Sequence, residues 1–422
     1  MHAAVIILVF LLTYFGLGAG RVPWLQVDRT GIALLGVIAL LASRQVTLDE
    51  FGANIDMPTI VLLFALMIIS AQFVASGFFE ICCDWLMTKT DNPATLLGLT
   101  VGICGALSAL LANDIVVYAM APLLIAGAQA RGLDPRPFLI ALIGSSNAGS
   151  AATLIGNPQN ILIGEMGGLS FHSFLVACFV PALVALGCVY GIIWLLWRDR
   201  IAATELAASR DAAADIPRHP HDRNQTIKGL IALGVMLALF MTPLPREIGG
   251  LVIAAVLLSN RKFTSRTMIA AVDWPLLLLI VCLFAVTGAL ANTGIPWSGL
   301  SALLDAGIGP NGLLVLTPLT LLMSNVIGNV PWVLFVLQIW PNPPEGTLYG
   351  LALISSLAGN LMLFGSVSNL IVVERAGALG VRLTTAEYAR AGVPFTLLSL
   401  VFAVLWLYWT GAMPWLPAVP AP

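Results

Sequence analysis

Long apolar segments dominate the chain, and two of them carry polar residues at their centres. They run over residues 94–129 and 312–340. A helix needs about 20 apolar residues to cross roughly 30 Å of hydrocarbon, so each stretch is too long for one crossing and too short for two. We therefore predict two re-entrant helical hairpins, the first broken at Asn113–Asp114 and the second within 324–331.

The other apolar segments predict ten membrane-spanning helices. Residues 77–89 predict an amphipathic helix at the membrane surface, and 198–228 is the only long polar stretch. The pattern indicates an all-α polytopic membrane protein with about ten transmembrane helices plus two re-entrant hairpins. The predicted spans are 3–19, 30–43, 58–76, 138–164, 174–196, 228–242, 248–259, 275–291, 348–373 and 392–411.

Composition supports a membrane location and excludes other classes of protein. The 422 residues are 59% hydrophobic and 9% charged, with a mean hydropathy of +0.97, whereas soluble domains carry about 25% charged residues. The formal net charge is −2 without a basic tract, so nucleic acid is not an expected partner. The six cysteines and four histidines have no metal-site spacing. We therefore expect neither a resident cofactor nor an enzyme.

The distribution of Lys and Arg predicts the orientation, because cytoplasmic loops carry an excess of both. If 198–228 is cytoplasmic and every span crosses once, all 19 basic residues except Arg44 and Arg246 lie on the cytoplasmic side. Both termini are then outside, the first hairpin enters from the cytoplasm and the second from the exterior. The expected location is the cytoplasmic (inner) membrane.

The two halves of the chain resemble each other in order. Asp56–Pro58 matches Asp273–Pro275, and Asn113 of the first hairpin aligns with Asn329 of the second. An odd number of predicted crossings separates the matching segments, so the repeats have inverted topology, as is typical of secondary transporters. This predicts a first repeat over 1–197, a cytoplasmic linker over 198–228 and a second repeat over 229–422.

The spans 138–164 and 348–373 carry clusters of Gly, Ser and Asn, and the first also has Pro158. Such residues break a helix in mid-span and free polar groups for binding. The alternative is that they only let helices pack closely, as small residues do in membranes. The candidate binding residues are Ser145, Ser146, Asn147, Gly149, Asn157 and Asn160 in the first span, and Gly359, Asn360, Ser366 and Asn369 in the second.

At each hairpin tip the second arm begins with unpaired N–H groups, which attract anions, and the first arm ends in free carbonyls, which suit Na⁺. The candidate tip residues are Asn113, Asp114, Asn325 and Asn329. A carboxylate at membrane depth indicates function, so Asp114 would couple transport to Na⁺ or H⁺; the alternative is a helix cap. We expect Na⁺ near Asn113, Asp114 and Asn147, and near Asn329 and Asn360.

No Lys or Arg lies well within a predicted span. An anion would therefore be held by amides, hydroxyls, helix ends and a co-bound cation, and not by a salt bridge. Asp56 and Asp273 precede prolines at the starts of two spans, and we expect both to be N-terminal helix caps.

These motifs resemble the ion transporter superfamily, which includes divalent-anion/sodium symporters, arsenite efflux permeases and one class of sodium/proton antiporters. The resemblance covers nearly the whole chain and is closest to bacterial anion transporters. It implies a scaffold domain that forms a homodimer and a mobile domain that carries both hairpins and moves as an elevator. The residues that carry it are Leu111–Asp114, Ala121–Pro122, 147–164, Ser324–Val326, Asn329–Pro331 and 358–372.

The tips differ from those of the dicarboxylate symporters in that superfamily, where Ser-Asn-Thr binds sodium and the substrate carboxylate. The matching residues are Ala112–Asp114 and Gly328–Val330, so only the asparagines are shared. The first tip is more similar to the arsenite permeases. The Gly-Asn-Pro-Gln-Asn run at 156–160 is more similar to the symporters and antiporters.

Together these features predict a secondary active transporter that moves a small anion, coupled to Na⁺ or H⁺, by an elevator-type alternating-access mechanism. Two alternatives stay open: an Na⁺/H⁺ antiporter without an anion substrate, and an arsenite or antimonite efflux permease. A channel fits inverted broken helices less well. The expected partners are the small anion, the lipid bilayer and a second copy of the chain, bound through scaffold helices.

Overall fold

The protein is described by a computed structural model over residues 2–19, 27–203, 220–242 and 244–417. These residues form α-helices joined by loops and turns, without a β-strand among them. The predicted all-α class is therefore confirmed. Most of the predicted linker, 204–219, lies outside the described residues; one helix continues to Ala203 before it, and the next begins at Arg223 after it.

Ten described helices lie before residue 204. The longest has 33 residues with Pro181 inside it, and prolines begin several of the others, where a missing N–H group is tolerated. They are α1 (His2–Ala19), α2 (Arg29–Ala42), α3 (Leu48–Asn54), α4 (Met57–Ala75), α5 (Phe78–Lys89), α6 (Pro93–Leu110), α7 (Asn113–Ala130), α8 (Pro135–Ser150), α9 (Pro158–Met166) and α10 (Phe171–Ala203).

Ten further helices follow in the same order of long, short and interrupted elements. Gly77, which precedes α5, and Gly294, which precedes the corresponding helix of the second half, both have left-handed backbone conformations, with φ of +70° and +73°. This order is what two repeats predict, and their inverted topology stays a prediction. The helices are α11 (Arg223–Phe240), α12 (Arg246–Leu258), α13 (Ser265–Ala270), α14 (Trp274–Ala291), α15 (Ile295–Asp305), α16 (Leu313–Val326), α17 (Asn329–Ile339), α18 (Glu345–Ala358), α19 (Val367–Ala378) and α20 (Thr385–Trp409).

Two aspartates precede prolines at the starts of α4 and α14, where we predicted caps. Asp273 accepts a hydrogen bond from the Leu276 N–H at 3.0 Å and caps α14. Asp56 occupies the same position before α4, but its carboxylate accepts from the hydroxyl of Thr59 at 2.7 Å and makes no cap bond to the backbone. Both aspartates therefore stand at the predicted N-cap positions, but only Asp273 caps its helix through the side chain, because the carboxylate of Asp56 bonds to Thr59 instead.

The two apolar stretches with central polar residues each form a helix–break–helix unit. In the first, α7 begins at Asn113, so the break lies at Leu111–Ala112 and its predicted place at Asn113–Asp114 is wrong. Asn113 and Asp114 instead form the first turn of α7, because a carboxylate is stabilised by the positive end of a helix. In the second stretch the break lies at 327–328, inside the predicted window.

The two spans rich in Gly, Ser and Asn are interrupted, as the sequence predicts. Residues 151–157 separate α8 from α9, and residues 359–366 separate α18 from α19. The sequence did not predict α3, α13 and α15. Their 7, 6 and 11 residues are too few to show a clear helical period.

Seven described helices are long and apolar enough to cross a membrane by length and composition: α1, α4, α6, α7, α10, α14 and α20. Two predicted spans, represented by α2 and α12, have only 14 and 13 residues. Both arms of the first unit have 18 residues, so length allows either arm to cross. The re-entrant interpretation therefore stays a prediction that rests on the distribution of Lys and Arg.

Packing between the halves brings the breaks together. Helix α7 packs on α19, and α17 packs on α9, so the second arm of each unit contacts the interrupted span of the other half. Within each half, α6 packs on α8 and α16 on α18. Around this group, α4 packs against α12 and α14 against α2. The two breaks and the two interruptions therefore meet inside the protein.

Candidate functional site

A small chamber of about 40 Å³ lies between the two breaks. A cavity needs roughly 10–15 Å³ of such space to hold one water molecule, so the chamber has room for a few waters or for ions in their place. Four residues singled out in the sequence line it, namely Asn113, Asp114, Asn329 and Ser366, together with Ser368. The packing thus unites the two tips at one site.

A hydrogen-bond relay joins the first break to the opposite half. Nδ2 of Asn113 donates to Oγ of Ser368 at 3.0 Å, and this hydroxyl donates to Oδ1 of Asp114 at 2.5 Å. Because the single hydroxyl hydrogen serves the carboxylate, Ser368 can only accept from Asn113. The relay therefore holds the amide of Asn113 with its oxygen turned away, buried and without a hydrogen-bond partner among the described residues.

Backbone contacts hold the first break in place. The N–H of Asn113 donates to the carbonyl of Gly156 at 3.1 Å, and the N–H of Ala112 donates to the hydroxyl of Ser70 at 3.2 Å. A Cβ on Gly156 would lie 2.4 Å from the carbonyl oxygen of Ser150. The interruption after α8 therefore supports the first tip directly, through the backbone of a position where only glycine fits.

The second break turns at Gly328, whose φ of +103° strongly favours glycine. Asn329 follows it, and its side chain is 7% exposed. The Oδ1 atom of Asn329 is buried and has no hydrogen-bond partner in the described part of the chain. A Cβ on Gly359 would lie 2.9 Å from Nδ2 of Asn329, so Gly359 makes room for this amide. Each tip therefore brings one unsatisfied amide oxygen to the chamber.

Asn325 lies beside the second break without lining the chamber. Its Nδ2 donates to the carbonyls of Leu321 at 2.9 Å and Ala358 at 3.0 Å. A Cβ on Gly365 would lie 2.6 Å from its Oδ1. Asn325 thus ties the end of α16 to the interruption after α18, which positions the second tip.

Three asparagines join the interrupted spans of the two halves. Nδ2 of Asn147 donates to Oδ1 of Asn360 at 2.8 Å and to Oδ1 of Asn369 at 2.9 Å. Asn360 in turn donates to the carbonyl of Gly144 at 3.1 Å, and Asn369 to that of Gly359 at 2.7 Å. The amide oxygens of Asn360 and Asn369 each accept from Asn147, so these three residues join the interrupted spans, whereas Asn113, Asp114 and Asn329 of the predicted Na⁺ positions line the chamber.

Replacing Asn147 by Ala is expected to lower the free energy of unfolding by about 2–4 kcal/mol, because two buried amide oxygens lose their donor. The measurement is the apparent melting temperature of the purified protein in detergent. Asn292→Ala is the control, since Asn292 is exposed and a surface change is usually worth within about 0.5 kcal/mol. Equal melting temperatures for the two variants would contradict the bridging role of Asn147.

Asn157 and Asn160 stabilise the interruption between α8 and α9. Asn157 caps α9 by accepting from the Asn160 N–H at 2.9 Å, and its Nδ2 donates to the hydroxyls of Ser150 and Ser356 at 3.0 Å each. Nδ2 of Asn160 donates to the carbonyls of Ser150 and Thr153. These contacts satisfy the backbone groups that the interruption frees.

Ser145, Ser146 and Gly149 lie on α8 away from the chamber. The Ser145 hydroxyl donates back to the Leu142 carbonyl, and Ser146 accepts from the hydroxyl of Ser108 at 3.0 Å. Gly149 faces the backbone of α6, where a Cβ would lie 2.1 Å from the Gly105 carbonyl oxygen. The structure thus places these three predicted binding residues in close helix packing, which was the alternative interpretation of the cluster.

A larger vestibule of about 520 Å³ lies next to the chamber. Its walls are mainly apolar and come from α4, α7, α9 and the segment 267–273. Asp114 lines both the vestibule and the chamber, and Asn157 lines the vestibule. The Asp114 carboxylate therefore stands where the two cavities meet.

Arg29 is a chamber residue that the sequence did not reveal. It is the first residue of α2 and lines the chamber, and its Nη1 would lie 3.9 Å from a Cβ built on Gly328. The sequence counted it among the basic residues of a cytoplasmic loop. Arg29 precedes the predicted span 30–43, and helix packing brings the start of α2 to the second tip, so a basic side chain lies at the chamber although none lies within a predicted span.

Long apolar helices, interrupted in the interior around a polar chamber with an adjoining vestibule, define this chain as a multi-pass membrane transporter. It belongs to the CitMHS family, described as citrate transporters, whose family model matches residues 7–343. The family consists of transporters and not of enzymes. The predicted ion transporter superfamily is also supported by a transporter of Dictyostelium discoideum named arsB, which is 28% identical over 173 residues, 41% of this chain and 31% of that protein.

Relatives over nearly the whole chain are also named as membrane proteins or transporters. A 46 kDa membrane protein of Mycobacterium leprae is 27% identical over 424 residues, 96% of this chain and 98% of that protein. A silicon efflux transporter of Oryza sativa subsp. japonica is 27% identical over 452 residues, 91% of this chain and 93% of that protein.

Solved structures share the fold at low sequence identity. The YdaH transporter of Alcanivorax borkumensis has a TM-score of 0.59 and 14% identity, with 98% of this chain and 100% of that chain covered. The MtrF transporter of Neisseria gonorrhoeae has a TM-score of 0.62 and 14% identity, with 100% and 97% covered. The predicted fold class is thus confirmed, since two solved proteins share the fold.

Proposed function

We propose that the protein is a secondary active transporter that moves a small anion across the cytoplasmic membrane, coupled to Na⁺ or H⁺ bound at Asp114. The observation that carries this proposal is the chamber itself. It brings together a carboxylate, Asp114, and two buried amide oxygens without partners, those of Asn113 and Asn329. Buried polar atoms are nearly always hydrogen-bonded, so two amide oxygens without partners beside a carboxylate, around one small space, are suited to a cation.

The polarity of the relay supports the cation site. Asn113 donates to Ser368 and Ser368 donates to Asp114, so the amide oxygen of Asn113 is left without a partner and is available to a cation. Hard cations prefer oxygen ligands from carboxylates and amides. Protonation of Asp114 would couple transport in the same way as a bound cation, since it also neutralises the carboxylate.

The vestibule supports alternating access. Its wall includes residues 267–273, which lie on the cytoplasmic side in the orientation that Lys and Arg predict. In that orientation the vestibule reaches Asp114 from the cytoplasmic side, and transport requires a second state in which Asp114 faces outward. Elevator movement and dimerisation through scaffold helices, which the superfamily resemblance implies, are the form that we propose for this exchange.

Efflux of a small inorganic oxyacid is the second candidate function. It is favoured by the chamber volume of about 40 Å³ and by the likeness to a silicon efflux transporter over 91% of the chain. The same site would then exchange the solute against H⁺ or Na⁺. Outward movement of arsenite or silicic acid from loaded vesicles, driven by an inward proton gradient, would favour this candidate over uptake.

The first experiment asks whether the site binds a cation. The apparent melting temperature of the full-length protein is measured in detergent with NaCl, with choline chloride at equal ionic strength, and over a range of pH. A ligand that binds only the folded state at 100 times its dissociation constant stabilises it by about 2.7 kcal/mol. Stabilisation by Na⁺ or by acid supports the proposal, and a protein that responds to neither contradicts it.

The Asn113→Ala variant is expected to need at least about ten times more Na⁺ for half of the stabilisation, because one of three oxygen ligands is lost. Asn292→Ala, an exposed change outside the chamber, is the control and should titrate like the wild type. If Asn113→Ala binds Na⁺ with unchanged affinity, the amide oxygen at the first tip is not a ligand.

A further inference from the structure

Arg29 stands apart from the other basic residues of the protein. Its side chain is partly buried, lines the chamber, and has no hydrogen-bond or ion-pair partner within the described ranges. Every other described basic side chain that is not exposed either bonds to a carboxylate or carbonyl or lies over an aromatic ring, namely Arg131, Arg136, Lys228, Arg246 and Arg375.

An unpaired guanidinium at this depth needs an explanation. Arg carries five N–H donors in a planar fork and no acceptor, and a charge removed from water is expensive unless it is paired. The fork matches the geometry of an oxyanion with two oxygens side by side. A bound anion would satisfy this group.

The first turn of α17 lies opposite and offers further donors. The backbone N–H groups of Asn329 and Val330 have no acceptor among the described residues, and Pro331 has no N–H. A helix N-terminus with free N–H groups attracts negative charge. The side chain of Asn329, more than nine-tenths buried and with an unpartnered amide oxygen, shows that this turn faces an unfilled polar site.

We propose that Arg29, together with the free N–H groups at the start of α17, binds the transported anion, and that this anion is a small oxyanion with a single negative charge. The proposal rests on the proposed function, because it takes Asp114 as the residue that binds the cation. It assigns the anion to Arg29 and the backbone N–H groups at the start of α17, and the cation to Asp114 and the amide oxygens of Asn113 and Asn329.

The charges of the chamber set the order of binding. Arg29 and Asp114 are its two charged lining residues, so their charges cancel when Asp114 is ionised. Na⁺ or H⁺ at Asp114 leaves a charge of +1, which one monovalent anion balances. The anion therefore binds after the cation, and the chamber carries no charge to balance a citrate trianion.

The test uses the melting temperature of the full-length protein with phosphate, arsenate, bicarbonate or citrate added as choline salts, in NaCl at neutral pH, in choline chloride at neutral pH and in choline chloride at acid pH, all at equal ionic strength. We expect phosphate, arsenate or bicarbonate to raise the melting temperature in Na⁺ or in acid, but not in choline at neutral pH. In Arg29→Gln the anion concentration for half of the shift should rise at least about tenfold, while the response to NaCl alone stays. For Arg29→Lys the anion concentration that gives half of the shift should lie between those of the wild type and Arg29→Gln, since Lys keeps the charge but lacks the planar fork of N–H donors.

Arg382→Gln is the matched control, because Arg382 is exposed and outside the chamber. Equal anion responses in wild type and Arg29→Gln would overturn the role of Arg29, and so would a wild type that responds to none of the small oxyanions. A response to citrate alone would overturn the assignment of charge. If the response to NaCl or acid is itself missing in the wild type, it is the proposed cation site that fails.

Discussion

The Asp114→Asn variant is expected to fold normally and to lose ion-driven accumulation of the anion by at least about 100-fold, which corresponds to roughly 2.7 kcal/mol. Asparagine has nearly the same shape, and its Oδ1 can still accept from Ser368, so the relay survives. It can neither bind a proton nor supply a charged ligand for Na⁺. The melting temperature of the variant should therefore no longer respond to NaCl or to acid.

The same variant should still bind and exchange the anion. With Asp114 replaced by a neutral amide, Arg29 leaves the chamber with a permanent charge of +1, so anion binding no longer needs Na⁺ or acid. We expect anion exchange between the two sides of a vesicle to persist while accumulation against a gradient disappears. This pair of results separates a coupling residue from a merely structural one, because misfolding would remove both.

Asp305→Asn is the control for this experiment, since Asp305 is an exposed carboxylate at the end of α15. It should retain accumulation and the response to NaCl. Accumulation by Asp114→Asn at the wild-type rate over the whole pH range would rule out Asp114 as the coupling site.

The Gly149→Ala variant is expected to be destabilised by more than about 3 kcal/mol, because overpacking of a rigid contact costs about 1–3 kcal/mol or more. A Cβ at this position would lie 2.1 Å from the Gly105 carbonyl oxygen and 2.6 Å from its Cα. These are backbone atoms of the neighbouring helix α6, so they cannot rotate away as a side chain would. Helices α6 and α8 would have to separate, and the first tip at the end of α6 would move with them.

Gly102→Ala is the matched control on the facing helix. A Cβ on Gly102 has nothing within 4 Å, and alanine is better than glycine in a helix by about 1 kcal/mol. This variant should therefore match or exceed the wild type in melting temperature, whereas Gly149→Ala should give little folded protein by size-exclusion chromatography. Similar behaviour of the two variants would mean that the α6–α8 contact is not as close as the structure describes.

Local sequence predicted much of the fold. Polar residues inside apolar runs indicated both helix breaks, and clusters of Gly, Ser and Asn indicated both interruptions. These signals work because a helix break depends on residues close in sequence, through missing N–H groups, backbone freedom and caps. The first break was nevertheless placed two residues too late, since Asn113 and Asp114 begin the helix and do not interrupt it.

The sequence also identified Asn113, Asp114 and Asn329 as tip residues, and all three line the chamber. A buried polar side chain in a long apolar run is a strong signal by itself, because it needs a partner in the interior. The same rule was less informative for Ser146 and Gly149. Small residues serve close packing and binding equally well in a membrane helix, and only their neighbours distinguish the two uses.

Only the tertiary structure decided which polar groups meet. Ser368 is 254 residues from Asp114 in the chain, and Asn147 is 213 residues from Asn360; neither pairing has a local signal, because each depends on how whole helices of the two halves pack. Arg29 is the clearest case. In the sequence it is one of many basic residues at a span end, and the packing of α2 on α14 beside the second tip makes it the charged neighbour of the candidate site.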